Sequence, residues 1–226
     1  MYQWFFKRFL DIVLSLCALI ALSPVLLVTA ALVWWNLGSP VVFCQERPGK
    51  GERIFRMYKF RSMTNAQDES GNLLPDEARL TKFGRFLRST SLDELLELLN
   101  ILKGDMSIVG PRPQLVRDMV FMTPDQRRRH QVRPGLTGWA QVNGRNILLW
   151  EDRLRYDLEY IDHISFREDL KIVILTVRCL FCHNDVSTDG MATSEDLGDY
   201  LLRTGQIDEA AYSIRQSEAQ QKLVHQ

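Results

Sequence analysis

From Ile12 to Trp35 the chain reads IVLSLCALIALSPVLLVTAALVWW, with no charged residue. That run has the length of a membrane-spanning helix, and it limits the fold more than any other feature. It is too long for the core of a secretory signal, and no small-residue cleavage site follows it. Trp4, Phe5 and Phe6 precede the run, and Trp34 and Trp35 end it; rings so placed favour a membrane–water interface. Ser23-Pro24 falls near the middle. Proline removes a backbone donor and clashes with the preceding turn, and the serine hydroxyl can bond a freed carbonyl. Each half is then about a dozen residues, roughly 18 Å long, short of a ~30 Å hydrocarbon core. Lys7 and Arg8 before the run, and Arg47, Lys50 and Arg53 after it, draw both flanks to the cytoplasmic side. A helix that enters and turns back satisfies this. A kinked span with a tolerated proline is the other solution, and both stand at this point.

The whole chain, 226 residues with 46% hydrophobic and 25% charged residues, is long enough for one domain with a sizeable core. Its formal net charge of +0 gives no pull toward nucleic acid, so no nucleic-acid partner is expected. Four cysteines do not make a disulfide framework in a chain this size and fit a reducing compartment. Cys179 to His183, CLFCH, has the spacing of a haem attachment site. At the end of an apolar helix, however, two such cysteines simply share a face, without further ligands. His130 and His163 have no serine or cysteine at a spacing that suggests a hydrolase triad.

The segment VVFCQERPGKGERIFRMYKFRSM predicts two extended stretches around a turn. Residues 64–78 predict a polar loop. RLTKFGRFLRS predicts one helix with Arg79, Lys82, Arg85 and Arg88 along one basic stripe. Leu92, Leu95, Leu96, Leu99 and Leu102 predict a single helix stopped at Gly104. A polar helix ending in RRRH follows, with Arg127–His130 turned to lipid headgroups or to solvent. Glu151–Ile161 predicts a helix, and Ser165 with Glu168 caps a longer, mostly apolar one. From Ser194 the chain predicts a polar helix or a loosely held extension. The fold class is mainly α with a small β-hairpin element (α+β).

Asp93 and Glu94 stand side by side at the start of the Leu92 helix. They have a purely structural explanation: Ser91 as N-cap and Glu94 at N3 form a capping box, with Asp93 at N2 favoured by the helix dipole. They also have a chemical one. A helix start attracts phosphates, and Arg85 and Arg88 lie just before it. Arg112, held between Pro111 and Pro113, is restricted in where it can point. A carboxylate here can attack phosphorus, and its neighbour can hold Mg²⁺ on a diphosphate.

Three blocks carry a resemblance: Lys59–Met63 (KFRSM), Arg88–Pro113 (RSTSLDELLELLNILKGDMSIVGPRP) and Arg133–Arg145 (RPGLTGWAQVNGR). In this order they resemble the bacterial sugar transferases, the monotopic polyprenyl-phosphate phosphoglycosyl transferases, of the small single-domain type similar to bacillosamine-phosphate transferases. The resemblance implies transfer of a sugar 1-phosphate from a UDP-sugar to a polyprenyl phosphate, with release of UMP. It implies a ping-pong route through a phosphosugar on Asp93, with Glu94 and Asp93 sharing Mg²⁺. It also implies that Lys59, Arg61, Arg88, Arg112 and Arg145 contact phosphate or nucleotide. Ser23-Pro24 matches the family's helix break and selects the re-entrant hairpin, held in a bacterial cytoplasmic membrane with the catalytic domain on the cytoplasmic face. The expected organisation is a membrane anchor over 1–38, a catalytic domain over 39–190 and an extension over 191–226, the last a candidate homodimer surface. One departure stands out: where many members read DELPQL, this chain reads DELLEL. A non-catalytic membrane scaffold, with both acids acting only as caps, is the alternative.

Overall fold

The computed structural model describes residues 2–144, 148–181 and 195–224. Two helices open it, α1 (Lys7–Ala21) and α2 (Ser23–Leu37), bent by 64° about Leu22. The break follows from Pro24. In a continuous helix the residue 24 amide would bond the Ile20 carbonyl, and proline has no N–H to give. The Ser23 hydroxyl donates to that carbonyl instead, at 2.8 Å, and Pro24 sits in the first turn of α2, where a missing donor costs nothing. No single described helix is long and apolar enough to cross a membrane, although the bent pair together has the length and composition.

Strands β1 (Val42–Pro48) and β2 (Ile54–Phe60) form the expected antiparallel hairpin, in register from Val42 opposite Phe60 to Pro48 opposite Ile54. The expected basic helix is divided. α3 (Asp76–Arg79) and α4 (Lys82–Ser89) are separated by the extended Leu80, and Thr81 caps α4 by accepting from the Gly84 amide at 3.0 Å. Arg79 pairs with Asp76, so the stripe is not continuous. The Leu92 helix is also two pieces, a 3-10 turn over Leu92–Leu96 followed by α5 (Glu97–Lys103), which stops at Gly104 with φ 97°.

β3 (Ser107–Val109) leads through the Pro-Arg-Pro segment to α6 (Val116–Met119) and a 3-10 turn over Gln126–Gln131. The expected long polar helix is thus interrupted, with Pro124 between its pieces. β4 (Gly135–Thr137) returns to pair with β3 in parallel. A Cβ at Gly135 would lie 2.1 Å from the Gly110 amide nitrogen, so only glycine allows this approach. Helices α7 (Trp139–Val142), α8 (Trp150–Asp162) and α9 (Phe166–Phe181) follow, with Ser165 Oγ accepting from the Glu168 amide at 3.3 Å as its cap spacing predicts. The chain ends in α10 (Leu197–Arg203) and α11 (Glu209–Val224). These are docked rather than loose: Leu197 and Ala219 are buried in one cluster with Phe121, Met122, Trp150 and Leu154.

The helical pair is built into the domain from both ends. Leu26 and Ala30 of α2 pack with Val33 against Phe60 and Leu87, and Ala18 and Leu19 of α1 pack against Leu98 and Ile101. At the start of α1, Arg8 donates to the Ile101 and Leu102 carbonyls at 2.6 and 2.8 Å, satisfying the open end of α5. Asp11 accepts from Ser107 Oγ and the Ile108 amide at 3.0 and 2.9 Å, and Lys7 pairs with Asp169. Apolar side chains along the outer faces, including Phe9, Leu16, Leu27 and Trp35, remain exposed.

Candidate active site

Two contacts bring the site together. Asn100 of α5 ties that helix to β2: its Nδ2 donates to the Arg56 carbonyl at 2.7 Å and its Oδ1 accepts from the Tyr58 amide at 3.0 Å. Lys59, the next residue of the strand, then meets Glu97, one helical turn before Asn100. On the other side, a Cβ at Gly84 would lie 1.9 Å from the Ser62 carbonyl oxygen. Its absence lets α4 close on the end of the hairpin, where Arg88 Nε reaches Ser62 Oγ at 3.0 Å.

The centre is a cluster of alternating charge. Arg112 grips Glu94 with two nitrogens, Nη1 to Oε2 at 3.4 Å and Nη2 to Oε1 at closer range, the forked contact that suits a guanidinium. Lys59 Nζ donates to Glu94 Oε1 at 2.9 Å and lies 3.2 Å from Glu97 Oε1. Among the described residues no donor is aligned on either Glu97 oxygen, although that side chain is only 1% exposed. Asp93 is buried, and among the described residues no hydrogen bond reaches its carboxylate. The Glu94 and Arg112 side chains keep 20% and 37% of their surface, so the pair opens to solvent on one side, where a ligand has access.

The three carboxyls differ in protonation. Burial, then the negative charge of Glu94, pushes Asp93 up to about 6 against the pull of Lys59, Arg88 and Arg112. Burial likewise works to raise Glu94, but Arg112 and Lys59 together outweigh it and hold this carboxyl well below the usual range. Burial and the Glu94 charge push Glu97 up to about 7. Arg112, beside Glu94, is held more firmly protonated than an ordinary guanidinium.

The capping-box expectation is not met. Ser91 has φ 55° and ψ 19°, left-handed rather than extended, and its side chain makes no cap bond. Glu94, engaged by Arg112 and Lys59, does not return to it. The capping box is therefore absent, while Asp93 keeps the expected place in the first turn.

Of the expected site residues, Lys59, Arg88, Asp93, Glu94 and Arg112 come together. Arg61 does not share their contacts: it is buried, and its guanidinium donates to the carbonyls of Leu37, Gly38 and Ser39 at the end of α2. It therefore caps the second helix of the pair. Arg145, and with it Cys182 and His183 of the CLFCH pattern, lies outside the described residues. Arg127–His130 do not present a free face to headgroups: Arg127 pairs with Glu52, and Arg129 is buried against Asp157. Glu97 was missed in the sequence, yet its spacing of three and four from Glu94 and Asp93 places it on their face.

Among the described residues no cluster of three or more acidic, histidine or cysteine side chains forms a ready metal cage. The site still suits Mg²⁺, which keeps several waters and takes one or two carboxylates together with substrate phosphates. Asp93, a hard oxygen donor that no described residue hydrogen-bonds, and Glu94 are the residues that would hold it.

Residues 2–183 match the family model described as bacterial sugar transferase. The chain is 49% identical over 189 residues to the uncharacterized sugar transferase EpsL of Bacillus subtilis, covering 84% of this chain and 94% of that protein. It is 43% identical over 182 residues to a UDP-glucose:undecaprenyl-phosphate glucose-1-phosphate transferase of Klebsiella pneumoniae, covering 76% of this chain but 39% of that enzyme. It is 39% identical over 184 residues to a UDP-N-acetylgalactosamine-undecaprenyl-phosphate N-acetylgalactosaminephosphotransferase of Aeromonas hydrophila, covering 78% of this chain and 44% of that enzyme. Motif order, the charged cluster they build and this extent of identity agree: the chain belongs to the bacterial sugar transferase family.

Proposed function

We propose that this protein transfers a sugar 1-phosphate from a UDP-sugar to polyprenyl phosphate, the first membrane step of a bacterial glycan. The observation that carries the reading is the buried Asp93 carboxylate, which no described residue hydrogen-bonds, beside the Glu94–Arg112–Lys59 cluster. An Asp93 oxygen attacks the sugar-bearing phosphorus, the bond to the bridging oxygen breaks, and UMP departs. A polyprenyl phosphate oxygen then attacks the same phosphorus and frees the carboxylate. Arg112 has donors beyond those that Glu94 occupies, and with Lys59 and Arg88 it supplies the positive charge that lets a carboxylate approach a phosphate. Mg²⁺ held by Glu94 and Asp93 would neutralise the diphosphate. Relatives named for transfer of glucose 1-phosphate to undecaprenyl phosphate support the reaction class.

The bent helix pair supports a re-entrant anchor on the cytoplasmic face of the inner membrane. Each arm has 15 residues, about 22 Å, less than a ~30 Å core. Both ends are bonded to the same domain, by Arg8 to α5 and by Arg61 to the end of α2, and a straight span would carry its ends to opposite faces. Such an anchor brings a soluble nucleotide sugar and a lipid-borne phosphate to one site.

Mass spectrometry of protein incubated with a UDP-sugar panel and Mg²⁺, without lipid acceptor, tests the chemistry. A phosphosugar on Asp93 and stoichiometric UMP are expected from the accepted donor. Asp93→Asn should give neither while melting no lower than the wild type. UMP release by that variant at the wild-type rate rules out the nucleophile.

A further inference from the structure

The Pro111-Arg112-Pro113 segment has one backbone N–H to donate, because both prolines lack theirs. Its three carbonyls are all engaged, each by a different part of the chain. Pro111 O accepts from the Gly135 amide at 3.0 Å, at the parallel β3–β4 pair. Arg112 O accepts from Arg129 Nη2 at 2.6 Å. Pro113 O accepts from Arg47 Nη1 at 3.3 Å. Arg129 is fixed in turn by Asp157 of α8, with Nε and Nη2 at 2.9 and 2.7 Å from Oδ2 and both side chains 2% exposed. Arg47 is steadied by Gln45 Oε1 at 2.6 Å.

One buried guanidinium, Arg129, and one partly buried, Arg47, are a costly means of satisfying two carbonyls. Desolvating a charge is unfavourable before its pairing is counted, whereas a neutral N–H serves the same end. Burial, then the nearby Arg112 charge, lowers the Arg47 pKa to about 10, so its place in the fold is held against an electrostatic penalty. A narrow cleft, partly open to solvent, lies between the segment and Arg129, His130 and Pro134, with room for about one water.

We infer that Arg129 and Arg47 are positioning residues for Arg112, fixing the backbone from which its guanidinium reaches Glu94 and the transferred phosphate. The inference rests on the role given to Arg112 above. A misplacement of about 1 Å costs on the order of 100-fold in rate, so loosening this segment should act on turnover more than on folding.

Steady-state transfer from UDP-sugar to polyprenyl phosphate provides the test. Arg129→Lys keeps the charge but not the forked reach; it should lower kcat roughly 10- to 100-fold. In an Arg112→Lys background the same change should lower kcat little further, because the group it positions is already altered. An equal loss in both backgrounds means that Arg129 acts on the fold alone and overturns the inference. Arg129→Met combined with Asp157→Leu removes the pair without leaving an orphan charge. It should still fold cooperatively yet show the same kcat loss per folded molecule, and wild-type kcat there also overturns the inference. Wild-type transfer by Arg112→Lys would remove the role of Arg112 itself. An active Asp93→Asn would instead strike the nucleophile and leave the Arg112–Arg129 coupling measurable.

Discussion

Glu97 is the residue whose environment is least settled. Its carboxyl is buried, has no aligned donor among the described residues, and lies within 3.2 Å of a lysine shared with Glu94. With a pKa raised from 4.5 to about 7, Glu97 binds its proton more tightly in the folded state than in the unfolded chain. Stability from this group is therefore full below about pH 4.5 and is lost as pH rises toward 7. Glu97→Gln should accordingly raise the melting temperature of metal-free protein by about 3–8 °C at pH 8 and leave it nearly unchanged at pH 4. A variant that melts lower than wild type at pH 8 would mean that Lys59 stabilises the ionised acid more than burial opposes it.

At the scale of elements, local chemistry was legible and long-range partnership was not. Pro24 and its serine marked the helix break, the Pro-Gly/Lys-Gly turn marked the β-hairpin, and the spacing of apolar residues marked α8 and α9. Each signal lies within a few residues of the feature it causes. The parallel β3–β4 pair was not foreseen, because strands of 3 residues are too short to show a period. Ser91 reads as an N-cap from its neighbours, yet Arg112 and Lys59 take Glu94 out of the capping box from elsewhere in the chain. Arg61 sits in a block that reads as phosphate-binding, but its guanidinium closes the end of α2. Arg61→Ala should destabilise the protein by about 1–3 kcal/mol, the cost of leaving buried carbonyls without a donor. The yield of phosphosugar adduct per folded molecule, and its dependence on UDP-sugar concentration, should stay as in wild type. A large rise in the donor concentration needed would restore Arg61 to the substrate site.

For the whole molecule, the proposed re-entrant anchor requires both ends of the helical pair to lie on the cytoplasmic side of the membrane. A cysteine placed at Gln3, the only accessible thiol in an otherwise cysteine-free variant, should react with an impermeant maleimide only after the cytoplasmic side is opened. Labelling from the periplasm of intact cells would mean a true span. The C-terminal helices bear on the same whole, for they complete the cluster around Phe121 and Trp150, and the Asp118 carboxylate accepts from both the Leu197 and Leu115 amides at 2.9 Å. The bond from Arg8 to the last carbonyls of α5 has a consequence of its own. The 3-10 turn that carries Asp93 and Glu94 runs directly into that short helix, so they sit one rigid element of 7 residues, about 10 Å, away from the bolt. In the proposed setting the attacking oxygen rides at a fixed altitude, with no tether along which to bob. The carrier must drift to it within the plane of the leaflet, so turnover inherits the viscosity of the lipid, and a bilayer made thicker or thinner lifts or sinks the reaction itself.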